Sequence, residues 1–98
     1  MSRLEEQDAA DLRTLLGTHQ GSRFLSRLIN ETETFTPTSP RMSAMEMAFK
    51  EGVRSVGLLI VSQLDAIDAG WYSIIDSASK QRIRMEREDE RLNNEQNR

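Results

Sequence analysis

The side chains able to do chemistry are few, because the sequence holds one histidine and no cysteine. His19 sits in the run Thr18-His19-Gln20-Gly21. A metal centre draws on several His, Cys or carboxylate ligands at set spacing, and His19 has no such companions, so it reads as a turn residue. Ser22, Ser26 and Ser55 lack the Gly-x-Ser-x-Gly setting that lifts a nucleophile onto a sharp turn, and no histidine partner for them is in view. Asp65, Asp68 and Asp76 are the one set of carboxylates whose spacing would let two share acid–base work. Helix ends and solvent-facing positions account for them more simply. No glycine-rich loop of the phosphate-cradling kind is present. The expectation is therefore a protein that is not an enzyme and needs no cofactor or metal. With no cysteine, disulfides and thiolate metal sites are excluded, which suits a reducing compartment.

What remains is the chemistry of binding. Arg23 and Arg27 stand one helical turn apart, as do Lys50 and Arg54. If their helices pack antiparallel, the two pairs converge on a candidate basic patch. Glu46 and Glu51 would dilute it. A solvated face with internal ion pairs is the expected reading, and contact with a phosphate or an acidic protein is the alternative. Gly52 and Gly57 fall inside a strongly helical stretch, where each costs about 1 kcal/mol relative to Ala. Ala48, Gly52 and Ser55 share one side of that helix, so another backbone can come close. Packing of the first or second helix there is expected, and a contact with another subunit is the alternative. Met42, Met45 and Met47 cluster just ahead, as adaptable packers. Trp71 is expected to anchor the core and Tyr72 to face outward as an interface residue. Arg84, Arg87 and Arg91 complete the candidate interface from the charged end of the chain.

These residues need helices to position them. Ser2-Arg3-Leu4-Glu5 is a capping box, followed by Glu6, Asp8 and Asp11 near the positive end of a helix dipole. Leu4, Leu12, Leu15 and Leu16 form a thin apolar stripe, and Gly17 marks a stop, giving a helix over 2–16. Phe24, Leu25, Leu28 and Ile29 give a second helix over 20–31. Two prolines and several threonines make 32–40 an extended loop, with Phe35 expected to plug back onto the helices. A second capping box at Ser43-Ala44-Met45-Glu46 opens a third helix running to about residue 66. Its stripe of Met45, Phe49, Val53, Val56, Ile60, Leu64 and Ile67 is the strongest periodic signal in the chain, so Val56 and Ile60 are expected core residues. Asp65 and Asp68 are poorly placed at a helix C-terminus. A break is expected there, with Asp68 as the N-cap of a fourth helix, although one helix continuing through Gly70 is the alternative. Trp71, Ile74, Ile75 and Ala78 start that fourth helix. After Ile83 its apolar face disappears: residues 80–98 carry six cations and five anions, as a solvated helix or a frayed tail would.

The fold class is thus all-α: a small bundle of three to four helices over residues 1–79, with a long charged C-terminal helical extension or tail over 80–98. With 98 residues, 37% of them hydrophobic and 30% charged, the core must be thin, or a partner must cover part of the apolar surface. The opening residues lack the apolar stretch of a signal peptide. The longest apolar run, residues 56–61, falls far short of the roughly 20 residues of a membrane span. A net charge of −3 disfavours generic binding to nucleic acid.

Two elements resemble a known family. Gly21-Ser22-Arg23-Phe24-Leu25 with Leu28, and then Phe49-Lys50-Glu51-Gly52-Val53-Arg54-Ser55-Val56-Gly57-Leu58, are similar to small tailed-bacteriophage proteins named from a Bordetella phage. The likeness spans residues 10–76 and leaves the charged segment outside. The second element is the more specific, since Phe, Gly, Arg and Gly at this spacing are unusual inside one helix. The resemblance implies genes in the morphogenesis region, near those of terminase and portal. It implies a virion component or assembly accessory, found in the host cytoplasm during assembly, with portal or head–tail proteins as partners and possibly other copies of itself. It carries no catalytic residues. Two other readings stay open. One is a DNA-packaging factor analogous to a terminase small subunit, with a helix-turn-helix hidden around Gly17 to Gly21. The other is a small phage regulator that binds a host protein.

Overall fold

The first three helices each begin where a hydroxyl side chain accepts from a free backbone N–H group. In the computed structural model, which describes residues 2–97, Ser2 accepts from the Glu5 N–H at 3.1 Å and opens α1, Arg3–Gly17. Thr18 alone separates α1 from α2, His19–Glu31. Its hydroxyl donates to the Leu15 carbonyl at 3.2 Å and accepts from the Gly21 N–H at 3.0 Å, so it closes one helix and opens the next. A Cβ at Gly21 would overlap the Leu15 carbonyl. The one-residue junction therefore requires glycine. It is also tighter than the three- to four-residue turn of a helix-turn-helix, which the sequence left open here.

The end of α2 is a Schellman turn. The N–H of Thr34 reaches the Ile29 carbonyl at 3.3 Å, and the N–H of Glu33 reaches Asn30 at 3.0 Å. Glu33 occupies the left-handed position with φ 49°, where glycine would cost less. Beyond the turn, the Thr32 and Thr34 hydroxyls are buried and lie 2.8 Å apart, each within hydrogen-bond distance of the other and of a carbonyl in the last turn of α2, so their two protons are shared over these contacts.

Ser43 opens α3, Ala44–Ile67, by accepting from Glu46 N–H at 3.2 Å. The expected break follows, and α4 runs Trp71–Gln96. Asp68, however, is the C-cap of α3 and not the N-cap of α4. Its carboxylate accepts from Gly70 N–H at 2.8 Å, and Gly70 occupies the N-cap without a side-chain bond. The aspartate thus stabilises the turn itself.

Helix α2 packs against all three others, most extensively α4 and α1. The core is the cluster Leu16, Leu25, Ile29, Leu64, Trp71 and Ile75, edged by Leu12, Ile60, Val61 and Ile67. The molecule measures 60 × 39 × 18 Å. Eighteen ångströms is less than two helix diameters, so only inward-facing strips of each helix find partners. That geometry overturns part of the expected core. Of the α3 stripe, Leu64 is fully buried and Val53, Ile60 and Ile67 partly so, while Met45, Phe49 and Val56 face outward. The buried side of α3 passes through Gly57 and Leu64, about 100° around the helix from Met45 and Val56. Phe35 does not plug inward either; it is exposed, because the threonine pair already fills the space beneath the loop.

The C-terminal extension is a continuous helix through Gln96, with none of the described residues after Ala78 buried. Ion pairs one turn apart line it: Asp76–Lys80 at 2.9 Å, Arg82–Glu86 at 3.2 Å, and Arg91 with Glu88 at 2.6 Å and Glu95 at 2.8 Å. Pairs of this kind each add a few tenths of a kcal/mol to helix stability, and they supply what hydrophobic burial does not.

Candidate interaction surface

The exposed flank of α3 is the largest anomaly of the surface. Met45 is 83% exposed, Phe49 76%, Leu59 59% and Val56 52%. Their spacing places them along one line of the helix, with Ala48, Gly52 and Ser55 between them. All three of these small residues are exposed, and a Cβ at Gly52 would meet nothing within 4 Å. The charged residues of α3 fall on other sides of the helix: Glu46 and Lys50 toward the packed side, Arg54 opposite the line, and Glu51 beyond Ser55. The result is an uncharged strip running from Met45 to Leu59. Packing of α1 or α2 over Ala48, Gly52 and Ser55, the expected arrangement, does not occur. Those helices reach α3 on its other side.

Gly57 has a different job from Gly52. It is buried, and a Cβ there would collide with the hydroxyls of Thr34 and Thr32. Its role is to let the loop after α2 lie on α3. Lys50 and Arg54 hold the same loop down. Arg54 Nε donates to the Thr34 carbonyl at 2.9 Å, and its guanidinium pairs with Glu51 at 3.3 Å. Lys50 Nζ donates to the Pro37 carbonyl at 3.3 Å and pairs with Glu33 at 3.5 Å. Sequence reasoning missed the threonine pair. The signal was a glycine where α3 otherwise wants a side chain, but nothing in the sequence says what approaches it.

Arg23 and Arg27 lie elsewhere, on a groove of about 390 Å³ between α2 and α4 that Phe24, Arg82 and Met85 also line. Arg27 stands 5.7 Å from the centre of the Phe24 ring and 3.9 Å from Glu31. The four cations therefore divide into two separate pairs with different partners. Tyr72 is exposed, its ring edge-on to Trp71 at 5.6 Å. On the outer part of α4, Arg91 is shared between two glutamates, whereas Arg84 and Arg87 make no ion pair among the described residues.

The residues singled out for acid–base chemistry each have a local structural partner. Asp65 accepts from the Trp71 indole, Asp68 caps the inter-helix turn, and Asp76 pairs with Lys80. His19 is exposed at the start of α2. No group of three or more His, Asp or Glu side chains close enough to hold a metal ion occurs among the described residues. Among the described residues, no helix is long and apolar enough to cross a membrane.

A family model described as Bbp19-like phage protein matches residues 12–72. That span runs from the middle of α1 to the second residue of α4, so it covers the loop clamp and the whole exposed flank of α3. No curated protein and no solved structure matches the chain.

Proposed function

Since the chain belongs to the family of Bbp19-like phage proteins, we propose that it is a non-enzymatic virion component or assembly accessory that works through protein–protein contacts, at the portal or head–tail region. The observation that carries this reading is the uncharged strip on α3. Exposed large apolar side chains in a contiguous patch mark an interaction surface in a water-soluble domain. Here the patch lies inside the part of the chain that defines the family. The charged outer half of α4 offers a second contact, suited to polar partners through Arg84 and Arg87. The protein would act in the host cytoplasm during assembly and stay with the particle.

The DNA-packaging reading has less support, because the α1–α2 junction is too tight for a helix-turn-helix and the cations are split between two sites. The test is mass spectrometry of purified phage particles. A fixed copy number per particle supports the virion role. Consistent absence from complete particles and from assembly intermediates overturns it.

A further inference from the structure

We infer that the α3 strip pairs with the same strip of a second copy of this chain, antiparallel, about a two-fold axis at Gly52. The inference rests on the proposed contact role of this surface and names its occupant.

Three observations carry it. First, the strip is free of charge from Met45 to Leu59, so two copies can meet without burying an unpaired ion. Second, the strip is self-complementary. With Gly52 facing Gly52, Phe49 of one copy stands level with Ser55 of the other, Ala48 with Val56, and Met45 with Leu59. At about 100° per residue, Phe49 and Val56 lie on one edge of the strip and Ala48 and Ser55 on the other. The two-fold keeps each edge together, so Phe49 packs beside the second copy's Val56 while the small residues close the opposite edge. Gly52 at the centre, with open space above it, lets the two backbones approach closely. Third, the area is sufficient. At on the order of 150–200 Å² per large side chain, the exposed fractions of Met45, Phe49, Val56 and Leu59 leave about 450 Å² of apolar surface. Complete coverage of the strip, small residues included, brings this to at most about 600 Å² per copy, so two copies together reach the lower end of specific, stable interfaces when the whole strip is covered. A two-fold interface of this kind closes on itself, so the product is a dimer and not a filament.

The experiment uses the full chain. Sedimentation velocity over about 1–200 µM should show a reversible monomer–dimer transition. Gly52→Glu and Leu59→Glu should each abolish the dimer, with helical circular dichroism and Trp71 emission unchanged, because neither position is packed within one copy. Orientation is read by cross-linking, which the absence of native cysteines makes unambiguous. Ala48→Cys mixed with Ser55→Cys should give a mixed disulfide on oxidation, while either variant alone should give little. A species that stays monomeric throughout, a larger assembly, or a dimer that both glutamate variants leave intact overturns the pairing. Cross-linking of each cysteine variant with itself but not with the other overturns the antiparallel arrangement. A monomer that is nevertheless found in particles removes the pairing and leaves the virion role standing. A dimer absent from particles does the reverse.

Discussion

The indole N–H of Trp71 donates to a carboxylate oxygen of Asp65, six residues back across the turn that joins α3 to α4. Trp71 is a core residue, so this bond satisfies a buried donor while fixing the angle between two helices. Asp65→Ala should destabilise the fold by about 1–3 kcal/mol, the range for stranding a buried polar group. Asp65→Asn keeps an acceptor and should cost less. Urea unfolding followed by Trp71 emission measures both, and equal stability of all three proteins would show the bond to be incidental.

The two glycines of α3 should respond oppositely to alanine. Gly57→Ala drives a methyl group into the Thr32 and Thr34 hydroxyls. Overpacking of about 1–3 kcal/mol should outweigh the helix-propensity gain of about 1 kcal/mol. Gly52→Ala meets nothing within one copy, so it should raise monomer stability by up to about 1 kcal/mol. Thermal melts at low protein concentration, where pairing is absent, separate the two.

Gly21→Ala should be the most damaging glycine substitution. The obstacle is the Leu15 backbone carbonyl, which cannot rotate away as a hydroxyl can. A loss of more than about 2 kcal/mol is expected, since overpacking against fixed atoms lies at the upper end of its range. Retained melting temperature would mean that α1 and α2 can separate at Thr18 without cost to the core.

A charge scan along α3 should divide the helix lengthwise. Leu64→Asp, at a fully buried position, should unfold the chain by burying an unpaired carboxylate. Val56→Asp, at a half-exposed position on the strip, should keep the monomer fold. Circular dichroism of the two variants decides it.

Amide protection should fall along α4. The helix is anchored by Trp71, Ile75 and Ala78, and beyond them it depends on solvent-exposed ion pairs worth a few tenths of a kcal/mol each. Hydrogen exchange should be slow up to Ala78 and fast from about Arg84 onward, and faster still in high salt. Uniformly slow exchange to Gln96 would mean that something covers the outer half.

Capping residues and periodicity made the four helices readable from sequence, and Ser2, Gly17, Ser43 and Trp71 all mark helix ends close to where they were expected. Which side of α3 lies inward was not readable. Periodicity reports that a helix has an apolar face, but Met45 and Phe49 satisfy the pattern as well as Leu64 does. Only the arrangement of α1 and α2 decides among them. The threonine pair was invisible for a related reason: Thr32 and Thr34 look like loop residues until Gly57 of a distant helix is laid upon them. Among the candidate interface residues, Ala48, Gly52 and Ser55 share the open strip, while Gly57 belongs to the interior.

The anchoring of α4 also makes it a lever. The helix is gripped by side chains in its first two turns, lines a groove against α2 as far as Glu86, and extends roughly 10 residues further to Gln96, about 15 Å. While it stays helical, a segment of that length turns a tilt of about 10° at its base into a displacement of about 3 Å at Gln96. A rearrangement at the Asp68–Gly70 turn too small to disturb the core is thereby magnified into one large enough to make or break a side-chain contact at the far tip.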